Sequence, residues 1–410
     1  MAADLPLRLK RREIVLLVII FLLTFGVYRS ITIVDDIWRD TTVVQNVLNQ
    51  QPLGVGGKLV FIWLGRIFVE LGKTVWAASP IQSLSFSSML FGALASVNIY
   101  FAYRSLFNQR YIGIVASLIL AFSPWYFHSS TSPEKYAISL FFVMGTVWAW
   151  AAKSWIVWGL MFGLALASHP ASAILLLPFA GHAYVTRNGR SDIKSMFVGV
   201  IVAVVIFLGL TSLAPGSNLG SANWISGIQS LGLGKRLSIS LNAIQPIYWI
   251  ILLIYLAIIV AFAYVFRHRK KISRYGFTML LVAIPYLVIF YFNLQPILGI
   301  GGVALTALSL LAVPALWAVE DRKEELIFLL LWLLPSLIVF PLLGFSAPAL
   351  YGFIAPPLVL LTCRLVDKSL DGEWLDLWWA LGLPSSWYYR MGKALVLAIL
   401  VISFYQSARA

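Results

Sequence analysis

The composition of this chain is that of a helical membrane protein. Its 410 residues are 60% hydrophobic and only 11% charged, which excludes a water-soluble protein, because a soluble surface needs many more charges. The apolar runs are continuous and close to the length of a membrane-spanning helix, which argues against a β-barrel. The net charge of +14 is spread over short basic clusters between those runs, so we expect no nucleic-acid partner. The single cysteine, Cys363, excludes an internal disulfide, and we expect it to serve packing.

We predict an all-α polytopic fold with about thirteen membrane-spanning helices. The first apolar run lacks a small-residue cleavage site, so we interpret it as an anchor and not as a removed signal peptide. Several runs are short for a bilayer of about 30 Å, which suits tilted, re-entrant or buried helices. The predicted spans are 14–33, 80–103, 111–127, 136–151, 154–168, 171–185, 195–213, 246–266, 277–292, 297–319, 326–343, 349–363 and 394–405.

The basic residues indicate the orientation of the chain. With the N-terminus in the cytoplasm, twenty-one of the thirty Lys and Arg residues fall on the cytoplasmic side, as the positive-inside rule requires. Eleven of the sixteen acids fall on that side too, many beside Lys or Arg, where solvated loops with their own ion pairs explain them. The five outer acids are Asp35, Asp36, Asp40, Glu70 and Glu134. External acidity is thus confined to the first two outer segments.

The first outer loop, residues 34–79, has the features most indicative of a reaction centre. Asp35 and Asp36 directly follow the first span, and a short polar helix, a Pro/Gly break and an amphipathic segment come next. Carboxylates at a membrane surface are costly unless they are paired or functional. Asp36, Arg39 and Asp40 share one helical face, so an ion pair between Asp36 and Arg39 is the alternative to a catalytic role. We interpret this loop as the active-site loop of a membrane enzyme, with amphipathic helices lying on the bilayer surface.

The second outer segment, residues 123–142, adds Glu134 and Lys135 after an aromatic-rich stretch. Pro133 and Glu134 also resemble an ordinary helix start, where an acid stabilises the positive end of the helix dipole. That is the alternative for Glu134. His169 is predicted at the outer end of the fifth span, where it either faces the site or is hydrogen-bonded inside the helix bundle.

Cations are expected near these acids if the substrate carries a phosphate. Lys235 and Arg236 lie in a Gly-, Ser- and Asn-rich loop, residues 214–245, and bind either a phosphate or anionic lipid headgroups. Arg66 is four residues from Glu70 on one predicted helix, so a surface salt bridge is the alternative there. The candidates for substrate binding are Arg39, Lys58, Arg66, Lys135, His169, Lys235 and Arg236.

Three motifs occur in order on the predicted outer side of the first 185 residues. They are the acid pair followed by QPLGVGGKL and WLGRIF, the stretch AFSPWYFHSSTSPEKYAISLFF, and GLALASHPASAILLLPF. With these motifs the chain resembles the GT-C superfamily of membrane glycosyltransferases. Within it, the likeness is to the protein O-mannosyltransferase-like branch, glycosyltransferase family 39, the dolichyl-phosphate-mannose-protein mannosyltransferases. One departure is Gln51-Pro52, where such members often have His-Pro.

The resemblance implies a GT-C-like bundle in two parts. Residues 1–190 form an N-terminal transmembrane module that includes the catalytic first outer loop, and residues 191–410 form variable C-terminal helices without a soluble domain. It also implies a donor sugar linked to polyprenyl phosphate and transfer on the extracytoplasmic face. The other expected partners are membrane lipids and an acceptor that is a protein, a lipid or a glycan.

The chemistry of the acids fits that implication. An acceptor hydroxyl needs a base as it attacks the anomeric carbon, and a carboxylate is suited to this. Adjacent residues point in different directions on a regular backbone, so one of the pair is the base. We assign it to Asp36, because the resemblance implies an acid after the first span and because Asp36 shares a helical face with Arg39 and Asp40. Asp35 and Glu134 are further catalytic candidates. Glu134 either positions the acceptor or shares a metal. Asp35, Asp36 and Glu134 are the ligands if a divalent cation is bound, although no spacing demands a cofactor.

Two other functions compete with the glycosyltransferase. A transporter or flippase of a lipid-linked or anionic substrate would place ionisable groups in the middle of its spans and often shows two similar halves. Here the acids lie at span ends and the halves differ. A non-catalytic subunit that kept the fold is the third possibility.

Overall fold

The computed structural model describes residues 11–30, 37–49, 59–133, 135–186, 189–212, 316, 323–342 and 347–370. Regular structure in these residues is helical throughout. The helices are α1 (Arg11–Ser30), α2 (Ile37–Leu48), α3 (Leu59–Trp76), α4 (Pro80–Phe107), α5 (Arg110–Ala121), α6 (Pro124–Thr131), α7 (Lys135–Ala151), α8 (Trp155–Ser168), a 3-10 helix (Pro170–Leu175), α9 (Leu176–Val185), α10 (Gly189–Ser212), α11 (Lys323–Leu342) and α12 (Ala347–Leu370). The prediction of an all-helical fold is confirmed for this part of the chain.

Helix α4 is the centre of the bundle. It packs against α1, α3, α5, α6 and α7. Its start is fixed by a capping box, in which the Ser79 hydroxyl accepts a hydrogen bond from the Gln82 backbone and the Gln82 side chain accepts one from the Ser79 backbone. These bonds satisfy two N–H groups that a helix start leaves without partners. At its other end, Asn108 adopts the left-handed conformation (φ 58°) and terminates the helix.

Glycines on α3 let that helix lie directly on its neighbours. A Cβ at Gly72 would be 2.0 Å from the Ser83 hydroxyl of α4, and one at Gly65 would be 2.8 Å from Leu84 of α4. Both spacings are far below ordinary van der Waals contact. Helix α3 is therefore held against α4 by close backbone approach and not only by its apolar side chains.

The second half of the N-terminal region is built on an equally close pair, α8 and α10. A Cβ at Gly159 would be 2.4 Å from the Gly199 carbonyl oxygen, and one at Gly163 would be 2.8 Å from the Ala203 carbonyl oxygen. Small residues four apart on facing helices permit this approach, which is a common packing solution between helices in membranes.

The C-terminal helices close the bundle on two sides. Helix α11 packs against α9 and α12, and α12 packs against α5, α6 and α7. Buried aromatic rings fill the seam between α8, α9 and α11, where Phe179 contacts Trp158 at 5.2 Å and Phe328 at 5.5 Å between ring centroids. Cys363 is buried and free in α12, where it packs, as expected.

Three helices within the described residues are long and apolar enough to cross a membrane: Arg11–Ser30, Pro80–Phe107 and Asp192–Leu210. The first and third bury few of their residues and leave many apolar side chains exposed, for example Leu22 (58%) and Phe197 (68%). Such helices suit contact with lipid. The count of thirteen spans stays a prediction, because the segments 246–266, 277–292, 297–319 and 394–405 fall outside the described residues apart from Leu316.

The predicted span 111–127 is divided in the structure. Helix α5 ends at Ala121, and α6 begins at Pro124 after a bend. Proline has no backbone N–H, so it weakens a helix interior, whereas it is well suited to the first turn of a new helix. The aromatic-rich segment therefore forms a short separate helix, which leads into Glu134.

At the N-terminal end of α1, three helices are joined by charge. The Glu13 carboxylate lies 3.4 Å from Arg104 and 2.9 Å from Arg110, and the Tyr100 hydroxyl donates to it at 3.5 Å. Arg104 is nearly buried, so the contact to Glu13 offsets part of its desolvation cost. This network ties α1 to the end of α4 and the start of α5.

The close pair α8–α10 gives a first testable expectation. Gly159→Ala places a methyl group against the Gly199 backbone, and we expect a loss of about 1–3 kcal/mol of stability from overpacking. Thermal unfolding of the purified protein in detergent measures it. The matched control is Gly26→Ala on the exposed side of α1, where nothing lies within 4 Å of the added Cβ. An unchanged melting temperature for Gly159→Ala would show that the two helices are not in this contact.

Candidate functional site

Most of the residues assigned to chemistry from the sequence lie outside the described part of the chain. These are Asp35, Asp36, Lys58, Glu134, Lys235 and Arg236. The backbone of Arg39 and Asp40 belongs to α2, and nothing is described of their side chains. Of the predicted site residues, the structure places the side chains of Arg66, Lys135 and His169. It also describes the helices from which the other candidates emerge.

The last turn of α1 is bound to α5 and α6. Tyr28 is fully buried, and its hydroxyl donates a hydrogen bond to the Ala121 carbonyl oxygen at 2.8 Å. Its ring meets the Phe127 ring edge-on, with 5.3 Å between centroids. Ala121 is the last residue of α5, so its carbonyl group has no partner in its own helix. The Tyr28 hydroxyl satisfies it and fixes the point from which the chain runs on towards Asp35.

Helix α6 is bound to α4 in the same neighbourhood. The Tyr126 hydroxyl donates to the Gly92 carbonyl oxygen at 2.5 Å. A Cβ at Gly92 would be 2.4 Å from the Ser130 hydroxyl and 3.3 Å from the Tyr28 ring. Only glycine leaves room here for α1, α4 and α6 to meet.

His169 faces into the bundle beside the start of α7. It is 3% exposed, and its Nδ1 accepts a hydrogen bond from the Ala171 backbone at 3.2 Å, which caps the 3-10 helix. In the neutral imidazole the proton is then on Nε2. The ring lies between Tyr136 of α7 and Phe353 of α12, at 5.7 and 5.5 Å between centroids. The structure thus places His169 in the hydrogen-bonded setting that was the alternative to a binding role.

Lys135 and His169 meet the same aromatic ring. The Lys135 ammonium lies 4.8 Å from the centroid of the Tyr136 ring, and His169 contacts the same ring at 5.7 Å between centroids. Lys135 directly follows Glu134 in the chain. The Tyr136 ring therefore joins His169, which follows α8, to the start of α7.

Arg66 is exposed on α3 and separate from this cluster. Glu70, one turn further along, is exposed as well, and within the described residues the two side chains form no ion pair with each other. Apolar Trp63 and Ile67 are exposed on the same side of the helix, at 40% and 52%. A helix face with mixed apolar and charged side chains of this kind suits the boundary between lipid and water.

Sequence reasoning missed the groups that hold this end of the bundle together. The sequence around Tyr28, Gly92 and Tyr126 is that of ordinary apolar helices. Their role depends on contacts with residues far away in the chain, which no local pattern predicts. Among the described residues, no group of three or more His, Cys, Asp or Glu side chains could hold a metal ion. The three carboxylates predicted as metal ligands lie outside that part, so the metal hypothesis stays a prediction.

Family comparison addresses the region that contains α3 to α10. Residues 56–214 match the family of dolichyl-phosphate-mannose-protein mannosyltransferases. The match covers the 3-10 helix, His169 and the second acidic segment, and it begins after Asp35 and Asp36. The resemblance expected from the sequence motifs is confirmed. A search of curated proteins finds no match.

Solved structures show the same fold over nearly the whole chain. The archaeal oligosaccharyltransferase AglB from Archaeoglobus fulgidus, in complex with an inhibitory peptide and a dolichol-phosphate, superposes with a TM-score of 0.57 at 14% identity, over 97% of this chain and 55% of that one. The same enzyme tethered to an acceptor peptide with the NVT sequon gives a TM-score of 0.56 at 13% identity, with the same coverage. Its complex with Zn and sulfate gives 0.52 at 12% identity, over 85% of this chain and 43% of that one. This chain thus spans about half the length of these relatives.

The cap at His169 can be tested by a pair of substitutions of similar size. Asn keeps an acceptor for the Ala171 N–H, whereas Leu leaves that buried group without one. We expect His169→Leu to unfold at the lower temperature, with a difference of about 1 kcal/mol in stability. Both variants lack the imidazole ring, so the comparison isolates the acceptor. Equal melting temperatures would show that the cap contributes nothing.

Proposed function

We propose that this protein is a membrane glycosyltransferase. It transfers a sugar from a polyprenyl-phosphate-linked donor to an acceptor hydroxyl on the extracytoplasmic face. The observation that carries the proposal is the match of residues 56–214 to the dolichyl-phosphate-mannose-protein mannosyltransferases. The fold shared with an oligosaccharyltransferase, itself found with dolichol-phosphate, supports the same class of donor.

In this proposal the acids of the first two outer segments form one reaction centre. Asp36 is the base that takes the proton of the acceptor hydroxyl as its oxygen attacks the anomeric carbon and the lipid phosphate leaves. Asp35 and Glu134 position the acceptor or hold a divalent cation between them. The packing supports this convergence, because α1 ends against α6 through Tyr28 and Phe127. Asp36 is six residues beyond Ser30, and Glu134 is three beyond Thr131.

The leaving phosphate needs cations at the edge of the bilayer. Lys135 is the best-placed described candidate, because it begins α7 directly after Glu134. His169 stays a further candidate, because it contacts the same Tyr136 ring from the α8 turn. Arg66 on the exposed face of α3 serves the headgroup region, and Arg39, Lys58, Lys235 and Arg236 complete the proposed cationic set.

The same likeness supports the proposed acceptor, and the positive-inside rule supports the proposed topology. A peptide is the acceptor class that the relatives favour, since the matched family modifies proteins by name and the matched enzyme was solved with an acceptor peptide. We place the N-terminus and the Glu13 network in the cytoplasm, and the Ser30 end of α1 outside. The spans beyond residue 213 are assigned to the variable C-terminal half.

The catalytic assignment is tested by removing single carboxylates without changing their size. Asp36→Asn should lower the rate of sugar transfer by about 10²- to 10⁴-fold, the usual contribution of a general base. The measurement uses purified protein, radiolabelled polyprenyl-phosphate sugars and a membrane extract of acceptors. Glu134→Gln should lower the rate as well.

The control for this assay is Glu70→Gln. Glu70 is an outer acid of the same loop, but it is exposed on α3, so its loss should leave transfer unchanged. Parent protein and Asp36→Asn transferring sugar at the same rate would contradict the assignment of the base. Labelled substrate that crosses vesicles without any transfer would contradict the enzyme and favour a flippase.

A further inference from the structure

The Tyr28 hydrogen bond lies near the end of α1, shortly before the chain continues to Asp35 and Asp36. Tyr28 is two residues before the end of α1, and the acid pair follows within eight residues. Its hydroxyl bonds to the last residue of α5, and its ring contacts Phe127 of α6. Helix α6 leads to Glu134 through Ser132 and Pro133. Tyr28 thus joins α1, which precedes Asp35 and Asp36, to α6, which precedes Glu134.

The neighbours of Tyr28 leave it little freedom. Gly92 of α4 lies against its ring and against Ser130 of α6. The Gly92 carbonyl oxygen accepts the hydroxyl of Tyr126, so α6 is bound on one side to α4 and on the other to α1. Both phenol hydroxyls bond to backbone oxygens, whose positions are set by helices and not by mobile side chains. An aromatic ring with a fixed hydroxyl is a stiff spacer between three helices.

We propose that Tyr28 is a positioning residue for the reaction centre. Its hydroxyl, bonded to the Ala121 carbonyl, sets the distance between the end of α1 and the α6–α7 junction, and in the proposed function the chain continues from these two points to Asp36 and Glu134. The inference rests on the proposed function for its catalytic meaning. Its geometric content, a fixed distance between two chain segments, does not depend on any activity.

The test compares two substitutions that each remove one buried phenol hydroxyl. Tyr28→Phe keeps the ring and loses the bond to Ala121. Tyr103→Phe is the matched control, because Tyr103 is equally buried in α4 and its hydroxyl donates to Asp367 near the Glu13 network, at the other end of the bundle. A displacement of the order of 1 Å at a reaction centre lowers rates by about 10²-fold. We expect Tyr28→Phe to lower kcat by about ten- to a hundredfold with KM for the donor within about twofold, and Tyr103→Phe to leave kcat unchanged.

A second measurement reports geometry alone. Spin labels on Ser30 and Lys135, introduced as cysteines after Cys363→Ala, measure the distance between the end of α1 and the start of α7. The Tyr28→Phe background should broaden or shift the distance distribution, and the Tyr103→Phe background should not. Both backgrounds should unfold at similar temperatures, since each loses one hydrogen bond.

The outcomes are distinct. An unchanged distance distribution in Tyr28→Phe would overturn the positioning role, and so would equal losses of kcat in both variants. If the parent protein transfers no sugar, the proposed function fails, while the spin-label distances still decide whether Tyr28 fixes the two segments. A shifted distance together with an unchanged kcat would overturn the link between this distance and catalysis.

Discussion

Two phenol hydrogen bonds hold together the end of the bundle from which both acidic segments emerge. Tyr28 bonds to the end of α5 and Tyr126 bonds to the middle of α4, and both side chains are buried. In a low-dielectric interior, a backbone carbonyl without a partner is costly, so these bonds are difficult to exchange for others. The remaining geometry of the candidate site depends on them, because the acids themselves lie on the chain beyond these fixed points.

The two ends of α1 are stabilised by different interactions. At Glu13 the contacts are ion pairs with Arg104 and Arg110, and at Tyr28 they are neutral hydrogen bonds and ring contacts. A carboxylate that is held in a structural ion pair is not available for catalysis. The neutral contacts at the Tyr28 end fix the backbone without using an acid, which leaves Asp35, Asp36 and Glu134 for chemistry in the proposed mechanism.

Local sequence pattern was sufficient for most of the helices and insufficient for the contacts between them. The predicted span 136–151 corresponds to α7, and 154–168 corresponds to α8, because apolar composition and flanking polar residues mark both ends. Helix α4 runs one turn beyond the predicted span, since Arg104 is accommodated by Glu13 and does not end the helix. The apolar run continues past Pro124, so the sequence pattern did not predict the break between α5 and α6.

The sequence predicts which residues make up the candidate site, and that assignment stays a prediction, but it does not predict the contacts that support the site. The outer acids follow from charge sorting, and Lys135 follows from its position beside Glu134. The link from Tyr28 to Ala121 joins residues 93 positions apart, and no local pattern encodes such a contact. His169 shows the same limit, because its Nδ1 bond to Ala171 is local while its place between Tyr136 and Phe353 depends on three helices.

The central claim is that the first two outer segments form one reaction centre on the extracytoplasmic side. It is tested most directly by cysteines at positions 36 and 134, in a chain whose native Cys363 is replaced by Ala. Intact cells are treated with a short, membrane-impermeant bis-thiol reagent, and the link is detected after proteolysis between the two positions. The account predicts efficient cross-linking of this pair and none when the second cysteine is moved to position 194 near the start of α10. Failure of the 36–134 pair to cross-link, while each cysteine alone still reacts with the reagent, would contradict it.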